Sequence, residues 1–348
     1  MSHPPFTPAS PRRRLRAVAP ILLAGVALVA AGCGSDSDDD TTSASTNATG
    51  AAAATTAAPA KPIDVVATTT QLGDIVRAVG GDAVDVHQIL QPNTDPHEYE
   101  PRPSDVTATS GAQIVFESGN NLDHWMSTVV EQSGGSPTVV TIAPDHTPNK
   151  VPGETSGPEA SEFDPHWWHD PRNVEAAIPA IRDALDQADP SAKSEIDANA
   201  QAYLAKVQAL DTGIEQCIDQ VPADQRKLVT SHDAFNYFAK RYGIDVVGAV
   251  IPSQSTQAQP SAGALAKLVK LVKDEHVKAI FPESSINPKL AQALADQTGA
   301  KADYTLYGDT LGPEGSDGDT YLKMEQANAN AMVEGFSGGA DHCQIAGL

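Results

Sequence analysis

The chain has 348 residues and a formal net charge of −22 at pH 7, with 45 acidic residues against 23 basic ones. Binding to nucleic-acid phosphates requires a patch of basic residues, which such an acidic composition does not favour, so we do not expect nucleic acid as a partner. The length leaves room for two domains once the N-terminal segments are set aside.

Residues 1–32 have the composition of an export signal. Four arginines between positions 12 and 16 precede an apolar run, 17–31, that is too short for a comfortable membrane span and fits a signal peptide. The run ends in Ala30-Ala31-Gly32-Cys33, which resembles a bacterial lipobox. We therefore predict that Cys33 becomes the lipidated first residue of an exported protein. A soluble secreted protein cut elsewhere is the alternative.

The segment that follows, up to residue 61, is rich in Ser, Asp, Thr and Ala and has no apolar periodicity. It cannot bury enough apolar surface to offset its ordering entropy, which predicts a disordered tether. Without the leader, 19 basic residues face 45 acidic ones, a net charge of −26. Cys217 and Cys343 then remain as an even pair in an oxidising compartment, where we expect a disulfide, with free buried thiols as the alternative.

Beyond the tether, short β-rich runs alternate with helical patterns, which predicts an α/β fold with two lobes, each built on a mostly parallel four-stranded sheet flanked by helices. The first lobe, 62–171, is predicted as strand Ile63–Thr69, helix Leu72–Val79, strand Val84–Leu90, helix Ser104–Thr109, strand Gln113–Glu117, helix Leu122–Gln132 and strand Thr138–Thr141. The second lobe, 226–348, is predicted as strand Lys227–Thr230, helix Ala234–Tyr242, strand Asp245–Val250, helix Ala262–Glu275, strand Lys278–Phe281, helix Lys289–Thr298, strand Lys301–Tyr304 and helix Thr320–Phe336.

Linking helices are predicted between the lobes, at 172–225. One of them, from Ser191 to about Gln220, carries a seven-residue apolar seam along one face. The seam consists of Ile196, Ala200, Tyr203, Val207, Leu210, Ile214 and Cys217. A coiled-coil dimer is the rival interpretation, but a seam of about three heptads between two lobes favours a spine within one chain, and hence a monomer.

Four separated residues each follow a predicted strand: His97, His166, His232 and Asp309. In open α/β sheets, ligands bind beyond the carboxyl ends of the strands, so two loops from each lobe would meet in the cleft. Three imidazoles and one carboxylate suit a first-row divalent cation such as zinc. The sequence therefore predicts one metal site between the lobes.

Local sequence supports the two histidines of the first lobe. Both lie in Asp-Pro-His, where proline fixes the backbone just before the imidazole and lowers the entropy lost on ordering a ligand. His169 is an alternative ligand, three residues after His166. Glu283 ends a strand of the second lobe and is expected to orient an imidazole from behind.

These motifs resemble the signatures of the cluster A-I (cluster 9) metal-binding lipoproteins, which are the substrate-binding components of zinc and manganese ABC importers. The segments that carry the resemblance are 95–105, 164–171, 231–238 and 308–311 with 318–321 and Asn328. They occur in the right order across residues 62–338. The resemblance implies two α/β lobes joined by a long rigid helix, one buried ion between them, and delivery to a membrane permease driven by an ATPase.

The ligand set also bears on the metal and on enzyme activity. Within the family that the chain resembles, His at the third ligand position is mostly found in zinc receptors, whereas many manganese receptors carry Glu there. His232 thus favours zinc over manganese. A zinc hydrolase is the rival class, but catalytic zinc usually has three protein ligands and an open position, whereas four candidates are present here.

Overall fold

The computed structural model describes residues 61–347, and the predicted leader, Cys33 and the tether up to residue 60 lie outside this range. None of the helices within the described range is both long and apolar enough to cross a membrane.

The first half is a four-stranded parallel sheet with helices on its faces. Its elements are β1 (Ile63–Ala67), α1 (Thr70–Gly80), β2 (Val84–Gln88), α2 (Pro103–Gly111), β3 (Ile114–Gly119), α3 (Met126–Ser133) and β4 (Thr138–Ala143). The strand order is β2-β1-β3-β4, and every neighbouring pair is parallel. The central strands β1 and β3 are mostly buried because helices cover both faces of the sheet. All seven predicted elements of this lobe are present.

Two helices connect the halves: α4 (Pro171–Ala188) and α5 (Lys193–Ile218). The 26 residues of α5 span about 39 Å at 1.5 Å per residue. Every residue of the predicted apolar seam is buried along this helix. The seam packs against α1 of the first half and α9 (Tyr321–Ser337) of the second half, so it is used within one chain. The predicted backbone helix is confirmed.

The second half contains β5 (Lys227–His232), α6 (Asn236–Tyr242), β6 (Asp245–Ile251), α7 (Ala262–Asp274), α8 (Lys289–Thr298) and α9. Strands β5 and β6 are parallel. The α/β class with two parallel sheets is therefore confirmed, but the four-stranded sheet predicted for this lobe has only two regular strands among the described residues.

The two remaining predicted strands form isolated parallel bridges instead. Ala279 bridges to Lys301, which joins the two predicted segments, and Phe281 bridges to Thr230 of β5. Glu283 bridges to Leu306 just beyond them. Pro282 lies between Phe281 and Glu283 and has no N–H to donate, which interrupts a regular ladder. These segments still extend the sheet edge, and they place Glu283 and the residues after Leu306 beside the end of β5.

A disulfide joins Cys217, near the end of α5, to Cys343 in the C-terminal tail, with the two Cα atoms 5.4 Å apart. The pairing is the one expected from the even cysteine count. It closes a loop of 126 residues and fixes the tail against the connecting helix.

Candidate metal centre

The two Asp-Pro-His segments place His97 after β2 and His166 after β4. In each segment the aspartate accepts a hydrogen bond from the backbone N–H of the histidine two residues later. The donor–acceptor distance is 2.9 Å from His97 N to Asp95 Oδ1 and also 2.9 Å from His166 N to Asp164 Oδ1. This local turn, together with the proline between the two residues, fixes the backbone from which each imidazole projects.

The second half contributes the other two candidates. His232 is the last residue of β5, and Asp309 follows Leu306, which bridges to Glu283. All four side chains therefore lie beyond the carboxyl ends of parallel strands, where the sequence placed them.

The structure brings these four side chains into one cluster, and the exposed fraction of each side chain is 0%. The Nε2 atom of His166 lies 3.4 Å from Nε2 of His97 and 3.3 Å from Nε2 of His232. The Oδ1 atom of Asp309 lies 3.3 Å from His166 Nε2, 3.4 Å from His232 Nε2 and 4.0 Å from His97 Nε2. One ligand atom from each residue thus lies within 4.8 Å of all the others.

These separations match a small coordination shell. Zinc binds imidazole nitrogen and carboxylate oxygen at about 2.0–2.1 Å, and a tetrahedron of that size has edges of about 3.3–3.4 Å. Four of the five measured separations are 3.3 or 3.4 Å. His97 lies farther from Asp309, with 4.0 Å between Nε2 and Oδ1.

Each imidazole has a carboxylate behind it. The Nδ1 atom of His97 lies 2.7 Å from Glu159 and that of His166 lies 2.7 Å from Asp164, both with hydrogen-bond geometry. The Nδ1 atom of His232 lies 2.8 Å from Glu283 Oε2 in a charged contact that lacks hydrogen-bond alignment. A carboxylate on Nδ1 keeps the proton there and leaves Nε2 free to face a cation. Glu283 also accepts from the backbone N–H of His232 at 2.8 Å, which agrees with the orienting role expected for it.

Asp309 is a buried carboxylate with no hydrogen-bond donor among the described residues other than the imidazoles that face it. A buried charge requires a compensating partner, so this carboxylate points to a cation at the centre of the cluster. Of the four candidates, Asp309 has the weakest sequence signal, because Asp beside Gly is ordinary turn chemistry.

The electrostatics of the metal-free cluster follow from the close packing of its charges. Burial alone would lower the pKa of His166, but the carboxylates of Asp164 and Asp309 outweigh it and raise that pKa to about 9. Burial opposes the charged form of His232 as well, yet Asp309 and Glu283 raise its pKa well above the usual value. Burial would raise the pKa of Asp309, and the facing imidazoles instead hold it well below its usual range. In the metal-free cluster, Asp309 therefore favours the protonated forms of His166 and His232, and these imidazoles favour the ionised form of Asp309.

His169 is not brought into this cluster. Its side chain is buried, its Nδ1 atom lies 2.7 Å from Glu325 Oε1 of α9, and its ring stacks on Phe235 with the centroids 4.4 Å apart. The geometry therefore places the alternative ligand in the packing between the halves, away from the four converging atoms.

Hydrogen bonds between the two halves hold the cluster closed. Thr256 donates to Asp95 Oδ2 at 2.7 Å, Trp168 Nε1 donates to the Gly308 carbonyl at 3.1 Å, and Tyr237 donates to the Asp164 carbonyl at 3.1 Å. The four ligand atoms are therefore sealed from solvent and positioned by both halves together.

The sequence model of the family described as zinc-uptake complex component A, periplasmic (ZnuA), matches residues 65–335. The chain belongs to the ZnuA family. The manganese-binding lipoprotein MntA of Halalkalibacterium halodurans is 32% identical over 312 residues, which cover 90% of this chain and 96% of that relative. The iron-binding protein YfeA of Yersinia pestis is 32% identical over 277 residues, which cover 80% and 87%.

Among solved structures, the periplasmic zinc-binding protein TroA of Treponema pallidum matches the ZnuA-family chain with a TM-score of 0.72 at 30% identity. The match covers 80% of this chain and 99% of that one. The membership indicated by the four motifs is thus confirmed. Relatives named for manganese, iron and zinc share this similarity, so membership alone does not select the metal.

Proposed function

We propose that the protein is a receptor that captures one divalent metal ion between its halves and delivers it to an ABC importer, a permease driven by an ATPase. The observation that carries the proposal is the convergence of three imidazole Nε2 atoms and one carboxylate oxygen in a fully buried cluster. His97, His166, His232 and Asp309 are the proposed ligands. Glu159, Asp164 and Glu283 orient the imidazoles.

Zinc is the favoured cargo, and manganese is the alternative. Three nitrogen donors and one oxygen donor at near-tetrahedral separations suit zinc, because zinc is borderline-soft and is usually four-coordinate in proteins. Manganese prefers more oxygen donors and a higher coordination number. It would require Asp309 to bind through both oxygens.

Titration of the metal-stripped full chain with zinc and with manganese tests the proposal. We expect saturation at one ion per chain for both metals and at least about tenfold tighter binding of zinc, because the general affinity order and the nitrogen-rich donor set both favour it. Tighter binding of manganese would reverse the choice of metal while preserving the receptor. Failure of both metals to bind would contradict the receptor itself.

A zinc hydrolase is the second candidate function. Catalytic zinc usually keeps a position open for water, whereas four protein donors converge here and can fill a tetrahedral shell. The relatives are likewise named as binding proteins. Zinc-dependent turnover of ester or peptide substrates that is lost in His232→Ala would favour the hydrolase.

The location of the receptor follows from the N-terminal segments. We propose export under the leader, lipid attachment at Cys33 and a position outside the cytoplasm, where the tether holds the metal-binding part near the membrane. The metal-binding part consists of lobes at 62–171 and 226–348 with linking helices at 172–225. A monomer is proposed because the α5 seam is already covered within the chain.

A further inference from the structure

The three carboxylates behind the imidazoles come from different kinds of structure. Asp164 lies two residues before its histidine, in the same turn. Glu283 lies in a segment that bridges into the second sheet beside β5. Glu159 comes instead from a surface hairpin, residues 152–163, which we call the Glu159 hairpin. Among the three, only Glu159 belongs neither to the turn of its own histidine nor to a sheet; its hairpin lies in the loop after β4 that also carries His166.

The two Asp-Pro-His segments supply carboxylates to their imidazoles differently. Asp164 uses Oδ1 for both the backbone N–H and the ring of His166, while its Oδ2 accepts from Asn236 of the second half. Asp95 accepts from the backbone N–H of His97 through Oδ1, and its Oδ2 accepts from Thr256 of the second half. The carboxylate on the ring of His97 is that of Glu159, with Nδ1 and Oε2 2.7 Å apart.

The arms of the Glu159 hairpin are paired to each other. Pro152 and Phe163 form an antiparallel bridge, and the N–H of Gly153 donates to the Glu162 carbonyl at 3.0 Å. The arms pack so closely at Gly153 that a Cβ there would lie 2.3 Å from the Ser161 carbonyl oxygen. The tip, residues 155–158, is exposed. The hairpin is thus held together by pairing between its own arms, and its tip lies at the protein surface.

Glu159 is the part of this hairpin that reaches the metal centre. Its side chain is 7% exposed, and its second oxygen, Oε1, is buried with no hydrogen-bond partner among the described residues. The hairpin is held to the second half through Glu154, which accepts from Ser253 Oγ and from Gln254 N, each at 3.0 Å, and through the Pro152 carbonyl, which accepts from Gln254 Nε2 at 3.1 Å. It is held to the first half by Asn121 Nδ2, which donates to the Ala160 carbonyl at 3.2 Å. Release of these few contacts would withdraw Glu159 while both sheets stay intact, as expected for a local opening.

We propose that Glu159 is a positioning residue that holds His97 in the binding geometry, and that the Glu159 hairpin is the gate through which the metal ion enters and leaves. The inference rests on the proposed metal-receptor function. When the hairpin lifts, His97 loses the carboxylate that fixes its ring, so its Nε2 atom is held less firmly against the ion and the ion dissociates faster. The hairpin therefore sets the exchange rate of the ion.

The test measures zinc dissociation from the full chain by stopped-flow capture with an excess of a chromogenic chelator. In Glu159→Ala we expect dissociation at least about tenfold faster than in the unsubstituted protein, because loss of the carboxylate behind a ligating histidine weakens metal binding about 10–100-fold. Glu159→Gln should be intermediate, since its amide oxygen can still accept from Nδ1–H. Glu162→Gln is the matched control: it lies on the same hairpin, is exposed, and should stay within about twofold.

Hydrogen exchange separates gating from a general structural role. Zinc should slow amide exchange at Gly153 and Ser161 in the unsubstituted protein, and Glu159→Ala should abolish that slowing while the central strands stay protected. A dissociation rate within about twofold of the unsubstituted protein in Glu159→Ala, or faster exchange throughout the chain, would overturn the gate. An unsubstituted protein that binds no metal would instead overturn the proposed function.

Discussion

Replacing His166 by alanine is expected to lower the affinity for zinc by at least about 100-fold, whereas His169→Ala should leave it within about threefold. His166 lies at the centre of the cluster, since its Nε2 atom is within 3.4 Å of ligand atoms from all three other residues. Loss of an orienting carboxylate alone weakens a metal site 10–100-fold, so loss of a ligand should exceed that range. His169 contacts Glu325 and Phe235 instead.

The affinity is measured by competition with a chelator of known zinc affinity. His124→Ala, at an exposed position, is the control for the removal of any histidine. Because His169 is buried, the unfolding midpoint of each metal-free variant is measured as well, which separates a loss of stability from a loss of ligation. Equal losses of affinity in His166→Ala and His169→Ala would show that the ligand assignment is wrong.

Lowering the pH from 9 to 6 should weaken zinc binding by at least about 1000-fold. The pKa of His166 in the metal-free protein is raised to about 9, and that of His232 is raised well above its usual value. Both imidazoles must lose a proton before Nε2 can bind a metal, and each proton in competition weakens binding about tenfold per pH unit below its pKa. Asp309 stays ionised in this range because its pKa is lowered.

Calorimetric titrations at pH 7.5, in two buffers with different ionisation enthalpies, measure the protons released for each zinc ion bound. We expect a release of between one and two protons, together with affinity that rises steadily towards pH 9. Affinity that is constant between pH 7 and pH 9, with no net proton release, would show that the metal-free imidazoles are already neutral.

The four candidate ligands could be predicted because their positions follow from topology. In a parallel α/β sheet, residues just after the strands share one edge, so ligands after β2, β4 and β5 can reach a common cleft. The Asp-Pro-His repeat strengthened two of them. The seam of α5 could be predicted as well, since its apolar residues recur with a helical period that does not depend on the rest of the fold.

The partners of the imidazoles could be predicted only in part. Glu283 was predicted because it ends a predicted strand of the second lobe. Asp164 was not predicted as a partner, although it begins the same motif as its histidine. The two Asp-Pro-His segments look alike in sequence, yet the ring of His97 takes its carboxylate from Glu159, which lies 62 residues further along the chain. That long-range contact has no local signal. The use of Glu159 in place of Asp95 therefore emerges only when the Glu159 hairpin is folded against the loop that carries His97.

The second sheet shows a different limit. Its apolar runs were correctly located, but regular pairing depends on backbone donors as well as on apolar side chains. Pro282 removes one donor and leaves isolated bridges on either side of it. The topology survives because Phe281 and Glu283 still pair with their neighbours, and the metal centre needs only the positions of the strand ends.

Locating a bound ion by anomalous diffraction at the zinc absorption edge tests the central claim most directly. Crystals of the full chain, stripped and reloaded with one equivalent of zinc, should show a single anomalous peak. The zinc ion at that peak should lie about 2.0–2.2 Å from Nε2 of His97, His166 and His232 and from a carboxylate oxygen of Asp309. A peak at any other position, or a coordination shell that includes His169 in place of His166, would contradict the account.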